Sequence, residues 1–352
     1  MSLFSSKSEY SLGVDFGTQS IKVIELKKVK GKPYLSNYAW VNVTNVSEVP
    51  ESYDSDYAKR LSSALQELFE QMKPHVKKAT VSIPSFNGLI MVVNFPRMSE
   101  KEVADAIKFE SRKYIPASLD EVNVSWEILD KEKTENSKDN STKDSMRVLL
   151  AAAPKSEVQY YDNLFKDTDV SIETLELESF SLARAVIGNT KGRFLLVDIG
   201  AKTTNIVLVE DGIVFVSRSV DIGGVDMTNA IMQSMNISRE KAIAIKESGE
   251  NFFSGAATVG FPSLDYVANE IKRVLSAQKN DKIESLVLCG GGAKLVGLSE
   301  YLEKLTGLTV TFCNPLSHIV YDPNNSGRIE ELGEMFAVSI GLALRNFEDK
   351  EK

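Results

Sequence analysis

Apolar and polar positions alternate with two different periods along this chain, and the changes of period mark its elements. Tyr10–Leu26 reads as a strand, a tight turn and a second strand, and "YLSNYAWVNV" (Tyr34–Val43) as a third alternating strand. Tyr57–Met72 changes to helical spacing, with Leu61, Ala64, Leu65 and Leu68 on one face. Short β runs follow at Lys78–Pro84 and Gly88–Pro96. Ser99 and Glu102 form a capping-box pattern ahead of an amphipathic helix that carries Val103, Ile107, Phe109 and Tyr114 and ends near Pro116. Trp126 lies in a further β run. The stretch Lys131–Ser145 holds no apolar residue and reads as a solvated, mobile loop; it interrupts a hairpin, because "MRVLLAAAP" (Met146–Pro154) resumes as a strand. Ser156–Phe165 reads as a helix, "VSIETLELE" as a strand and Phe180–Ile187 as a helix.

The opening pattern then returns. Phe194–Val220 is again strand, turn, strand and a third strand. Helical spacing follows at Val225–Met235, Arg239–Glu247 and Leu264–Gln278. Ile283–Leu305 reads as strand, glycine loop and helix, "TVTFCNP" as a short strand, and Met335–Arg345 as a helix of small residues. Set side by side, VDFGTQSIKVIEL (Val14–Leu26) and VDIGAKTTNIVLV (Val197–Val209) match Asp15 to Asp198, Gly17 to Gly200, Ser20 to Thr203 and Lys22 to Asn205. The repeat distance, 198 minus 15, is 183 residues, about half the chain. Two similar halves that face one another are expected.

One such turn alone is an ordinary hairpin. Two copies, each followed by alternating apolar positions, point to a phosphate-holding device. Glycine lets backbone approach a ligand closely, and successive N–H groups in a tight turn form an anion-binding concavity. The hydroxyls of Thr18, Ser20, Thr203 and Thr204 can donate to phosphate oxygens. An aspartate beside a phosphate is repulsive alone, so Asp15 and Asp198 imply a divalent cation between them; Mg²⁺ fits, since it binds through few carboxylates, waters and phosphates. A third motif, "LVLCGGGAKLVG" (Leu286–Gly297), brings a strand to Gly290, Gly291 and Gly292, where side chains would block a flat ligand.

Composition narrows the function classes. The chain has 352 residues, 43% apolar and 26% charged, as an ordinary globular protein of about two domains does. The net charge of -8 argues against a broad footprint for nucleic acid. Cys289 and Cys313 sit in no zinc-like spacing, and His75 and His318 are isolated, which gives them structural roles. No segment approaches the ~18–20 consecutive apolar residues of a membrane helix, and the first residues lack the apolar core of a signal peptide. The expected location is cytoplasmic.

Asp-turn, Asp-turn and Gly-Gly-Gly, in this order and spacing, resemble the actin-like ATPase superfamily, which includes actin, the Hsp70 ATPase domain, sugar kinases and FtsA. The resemblance implies an α/β, actin-like (ribonuclease H-like) two-lobed ATPase fold that binds ATP with Mg²⁺. It makes Asp15–Lys22, with Gly17, Thr18, Gln19, Ser20 and Lys22, the first phosphate loop. Asp198–Asn205, with Gly200, Thr203, Thr204 and Asn205, is the second. Gly290–Ala293 is the adenosine loop, and Ser238–Lys246 the helix beside the nucleoside, with Glu240 and Lys241 at its acidic and basic positions. Asp15 and Asp198 hold the metal through water. The helices at Phe180–Ile187 and Phe336–Leu344 are the connecting pair at the hinge.

A narrower match exists. "FESRKYIPASLDEV" (Phe109–Val122) and "LELESFSLARAV" (Leu175–Val186) look like segments of the PilM family of type IV pilus assembly proteins. That resemblance implies an FtsA-like inserted subdomain at 97–168. The first-lobe core is then 1–96, 169–192 and 330–352, the second-lobe core 193–225 and 285–329, and an outer subdomain 226–284. It implies adaptor work at the inner face of the cytoplasmic membrane, with the cytoplasmic tail of a PilN-like inner-membrane pilus protein held in a groove. Phe109, Tyr114 and Ile115 are the candidates for that groove; the same spacing also fits plain helix core. No residue announces a catalytic base, so slow hydrolysis or none is expected. A sugar kinase shares the loops, but nothing marks a sugar pocket. An FtsA-like tether would end in an amphipathic helix, which "RNFEDKEK" does not form. An Hsp70-like chaperone would add a substrate domain after the core. A self-associating, filament-forming scaffold of the FtsA, actin or MreB kind stays open as the alternative.

Overall fold

The computed structural model describes residues 9–43, 55–110, 113–115, 118–129, 145–255, 258–277, 282–322, 324 and 326–347. The polar run up to residue 144 and Pro116 lie outside them. The chain order is β1 (Tyr10–Phe16), β2 (Ser20–Val29), β3 (Lys32–Asn42), α1 (Ser55–Met72), β4 (Lys78–Ile83), β5 (Leu89–Pro96), α2 (Glu100–Glu110), β6 (Val122–Ile128) and β7 (Ser145–Pro154). Next come α3 (Lys155–Phe165), β8 (Ser171–Leu177), α4 (Glu178–Val186), β9 (Arg193–Ile199), β10 (Thr204–Glu210), β11 (Ile213–Val220), α5 (Gly224–Met235), α6 (Arg239–Glu247) and α7 (Pro262–Ser276). The last are β12 (Ser285–Cys289), α8 (Leu298–Thr306), β13 (Val310–Phe312), α9 (Ser326–Leu332) and α10 (Ala337–Leu344).

The repeat seen in the sequence is a repeat of topology. One sheet has the order β3-β2-β1-β4-β8, and the other contains β11-β10-β9-β12-β13. In each, an antiparallel meander is followed by two strands parallel to its first member. The hairpins match as well. Lys30 and Gly31 (φ 50° and 82°) turn β2 into β3, and Asp211 and Gly212 (φ 53° and 87°) turn β10 into β11. Two successive left-handed residues give the turn whose twist suits paired strands.

The second sheet continues past β11 into β5-β7-β6. The joint is a single register pair, Val216 opposite Met91. Over these three strands lies α2, which buries Val103 and Ile107 against Phe95 and Val148. Its capping box forms as expected, with Ser99 N–H donating to Glu102 Oε2 at 2.8 Å. The described helix runs to Glu110, and Lys113–Ile115 form a turn. β5 pairs with β7 inside this subdomain, whereas α3 packs Tyr161 and Phe165 against Phe16 in the first-lobe core.

Two crossing helices, α4 and α10, join the lobes. A side chain on Gly341 would collide with the Ser181 carbonyl, so the close helix crossing requires this glycine; one on Gly13 of β1 would collide with the Ser339 carbonyl, so α10 can lie close on the strand. Buried Glu176 ties the pair from below: it accepts from Arg184 Nη1 at 2.7 Å and from Ser181 Oγ at 2.8 Å, and it pairs with Arg345.

Candidate functional site

The two Asp turns are built alike. Asp15 faces Lys22 across β1 and β2, and Asp198 faces Asn205 across β9 and β10. Gly17 N–H donates to Ser20 O at 3.0 Å, and Gly200 N–H to Thr203 O at 2.9 Å. Both turns open into one cavity of about 730 Å³ between the lobes, well within the ~300–1,000 Å³ of small-molecule sites. Every residue expected at the phosphates lines it except Thr204. Thr204 Oγ1 donates to Ile222 O at 2.7 Å and is fully buried in the strand, so it is no phosphate donor. It points away because it is the first residue of β10, where side chains alternate faces.

Asp15, Lys22, Glu178 and Asp198 meet at the turn end of the cavity. Buried Asp15 accepts from Lys22 Nζ at 3.1 Å and from Ser82 Oγ at 3.0 Å. Asn205 does something different from its counterpart Lys22. Its Nδ2 donates to Glu178 Oε2 at 3.2 Å, while its Oδ1 accepts from Ser219 Oγ at 2.6 Å. Glu178, the first residue of α4, also accepts from Ser85 N–H at 3.4 Å. Sequence reasoning missed Glu178; the available signal was an acidic residue opening the helix after an alternating strand. Burial pushes its carboxyl up to about 8, and the charges of Asp15 and Asp198 add to the effect. Burial and Asp15 hold Asp198 at about 6. Burial works against the Lys22 ammonium, but Asp15, Asp198 and Glu178 outweigh it and raise its pKa.

Three carboxyl groups thus gather around one ammonium. That donor set fits a cation. Among the described residues no three His, Cys, Asp or Glu side chains converge as a ready-made metal cage. A cation here would complete its shell with water or ligand oxygens, the habit of Mg²⁺.

The glycine loop closes the other side. β12 pairs Cys289 with Asp198. Gly290 has φ +78°, and a side chain there would run into Asp198 Oδ1 and Ile199 O; one on Gly292 would run into Ile199. These two glycines let the loop cross the tip of β9, and Gly291 alone has open space above it. The glycines therefore serve strand packing as much as ligand approach. Ala293 is buried in the second-lobe core and is not part of the cavity wall.

Glu240 and Lys241 are not part of the cavity lining. Both are exposed in the first turn of α6, where Ser238 Oγ caps the helix by accepting from Lys241 N–H at 3.4 Å. Ile243, Lys246 and Glu247 reach the cavity instead, one to two turns on. Lys246 Nζ donates to Thr228 Oγ1 at 2.8 Å and to Gly224 O at 3.1 Å, and burial lowers its pKa.

Outside the cavity, a chain of hydroxyls crosses the joint between the lobes: Ser85 Oγ to Ser179 Oγ at 2.7 Å, and Ser179 Oγ to Ser217 Oγ at 2.6 Å. The three groove candidates separate. Phe109 is 78% exposed on α2, Tyr114 is partly buried, and Ile115 is buried in the core of the β5-β7-β6 subdomain. Ile115 is therefore packing, because the turn after α2 folds it back onto the sheet.

The family model described as "Type IV pilus assembly protein PilM" matches residues 13–347. Among solved structures, a PilM-PilN type IV pilus biogenesis complex is similar at TM-score 0.79 and 24% identity, over 97% of this chain and 100% of that one. Ethanolamine utilization protein EutJ from Carboxydothermus hydrogenoformans gives 0.56 at 16% identity, over 97% and 91%. MreB5 of Spiroplasma citri bound to ADP gives 0.52 at 14%, over 97% of both chains. The expected actin-like, two-lobed fold is the fold found.

Proposed function

We infer a function from one premise: the chain belongs to the type IV pilus assembly protein PilM family. It is a scaffold of pilus assembly that binds ATP with Mg²⁺ in the cleft and holds the cytoplasmic tail of a PilN-like inner-membrane protein. The family match over residues 13–347 is the observation that carries this reading. The similar PilM-PilN complex supports the partner, and the ADP-bound MreB5 of the same fold supports the nucleotide.

The cleft residues fit that ligand. The paired turns offer backbone N–H groups and hydroxyls to phosphates, and Lys22 adds a positive charge beside them. Asp15 and Asp198 hold the cation through water, and the cation supplies neutralisation of phosphate and carboxylate charge. Gly291 leaves room for the nucleoside. The reading requires binding and not turnover. Among the described residues no helix is long and apolar enough to cross a membrane, so on this reading the chain works at the cytoplasmic face of the membrane through its partner. Phe109 is the groove candidate left on the surface.

Calorimetric titration with a peptide from the partner's cytoplasmic N-terminus, with and without Mg-ATP, tests the proposal. Saturable binding that changes with nucleotide is expected. Absence of peptide binding in both conditions would refute the adaptor role. Binding identical in both would refute nucleotide control, which needs different partner affinity in the two states.

A further inference from the structure

β4 runs parallel to β1 and pairs Val81 with Val14, so the next residues along, Ser82 and Asp15, are neighbours across the two strands. Ser82 is fully buried and is not part of the cavity lining. Its Oγ accepts a hydrogen bond from Phe16 N–H at 3.0 Å and donates one to Asp15 Oδ1 at 3.0 Å. A hydroxyl has one proton and two lone pairs. The backbone N–H occupies the lone-pair side and leaves the proton for the carboxylate. Solvent does not reach Ser82, so bulk water cannot stand in for this donor. The other carboxylate oxygen of Asp15, Oδ2, accepts from Lys22 Nζ at 3.1 Å. Asp15 lines the cavity and keeps 6% of its side-chain surface exposed. A residue hidden behind the wall thus holds one that stands in it.

The other half of the molecule lacks the device. β12 runs parallel to β9 as β4 does to β1, and Cys289 is the register partner of Asp198. Its Sγ donates to Val287 O of its own strand at 3.8 Å. The two aspartates match in sequence, but the equivalent position supplies a hydroxyl donor to the first alone.

We propose that Ser82 is a positioning residue of the cation site, orienting the Asp15 carboxylate that holds the cation through water. The inference rests on the nucleotide reading above and deepens it. Outer partners that orient a metal-holding group are worth about 10–100-fold in metal affinity.

The test measures ATP dissociation constants by calorimetry on the full chain, once with Mg²⁺ and once with EDTA. The wild type should bind ATP more tightly with Mg²⁺. Ser82→Ala should shrink that Mg²⁺ advantage by about 10-fold or more and leave metal-free binding much as it was. Ser82→Cys keeps nearly the size of serine, but its thiol is a weak donor; it should show the same loss, and it decides the matter if Ser82→Ala does not fold. In an Asp15→Asn background, Ser82→Ala should change the advantage no further. An unaltered advantage in the Ser82 variants overturns the proposal. So does equal weakening with and without Mg²⁺, which a merely structural role would give. A Ser82→Ala loss that persists in full in the Asp15→Asn background also overturns it, because the hydroxyl would then act by another route. A wild type that binds no ATP, or binds it without any Mg²⁺ advantage, overturns the Mg-ATP reading itself, and this inference with it.

Discussion

The carboxyl of Glu178 is the most perturbed acid in the cleft, and replacing it by glutamine is the sharpest test of the site's electrostatics. Its pKa rises from an ordinary 4.5 to about 8 on folding, through burial first and the Asp15 and Asp198 charges second. Below about pH 4.5 the group is protonated in both folded and unfolded chains and costs nothing. Between 4.5 and 8 the unfolded chain gives up the proton and the folded one keeps it, so stability falls as pH rises through that window. The full shift sets a ceiling of about 5 kcal/mol. Glu178 has one side on the open cavity, where water screens it, and about 2 kcal/mol between pH 5 and pH 8 is the expected size. Glutamine keeps an oxygen for Asn205 and Ser85 but does not titrate. Glu178→Gln should therefore match the wild type near pH 5 and gain on it as pH rises. For a lobe of about 150–250 residues this opens a gap of about 4–8 °C in melting midpoint by pH 8. Thermal unfolding of both proteins at pH 5, 6.5 and 8 measures it. A gap that does not change with pH, or one that favours the wild type at pH 8, would refute the buried-charge reasoning.

Four other expectations follow from the same geometry. Asp198→Ala should weaken Mg-ATP by about tenfold or more in calorimetry, because it removes one of the carboxylates that face the cation; an unchanged affinity would count against the metal role. Gly341→Ala drives a methyl group into the Ser181 carbonyl at the helix crossing and should cost about 1–3 kcal/mol, read as a lowered melting midpoint; an unaltered midpoint would show that the helices can part freely. Ser179→Ala breaks both links of the Ser85–Ser179–Ser217 chain and should destabilise by about 1–3 kcal/mol, whereas no loss in a denaturant titration would make the chain incidental. Phe109→Ala should change stability by less than about 0.5 kcal/mol, as exposed positions do, while weakening the partner peptide; equal peptide affinity would remove Phe109 from the groove.

The fold was legible because its signals are local and repeated. Asp15 with Gly17 and Asp198 with Gly200 announced a duplicated meander, and the meanders are there with matching strand order. Alternation found the strands, and 3.6-residue spacing found α1, α5 and α7. The errors fall where tertiary packing decides. The apolar spacing put Tyr114 on one helix with Phe109, whereas Tyr114 lies in a turn. The helix over Lys155–Phe165 has the same amphipathic pattern whichever core it joins, and its contacts with the rings of Phe16 and Phe69 set it against β1 and α1.

The site divides along a similar line. Backbone-built parts could be read, because a turn that needs glycine advertises it: Gly17, Gly200 and Gly291 stand where the cavity is. Side-chain roles could not, because they depend on the phase of an element relative to the ligand. Lys241 and Lys246 lie on one short helix, and nothing in their spacing says which turn faces inward; packing of Ala242 and the Lys246 bonds to Gly224 and Thr228 decide it. Thr203 and Thr204 are chemically equal, and the strand's alternation sends one to the cleft and the other to Ile222. Glu178 was silent for a further reason. Its perturbation comes from burial, and burial is set by segments distant in sequence, here Ser85 and Asn205. Charge counted along the chain gives all carboxyls equal weight. The folded cleft gives weight to the few that lose water, and those are the groups whose replacement should move binding and stability most.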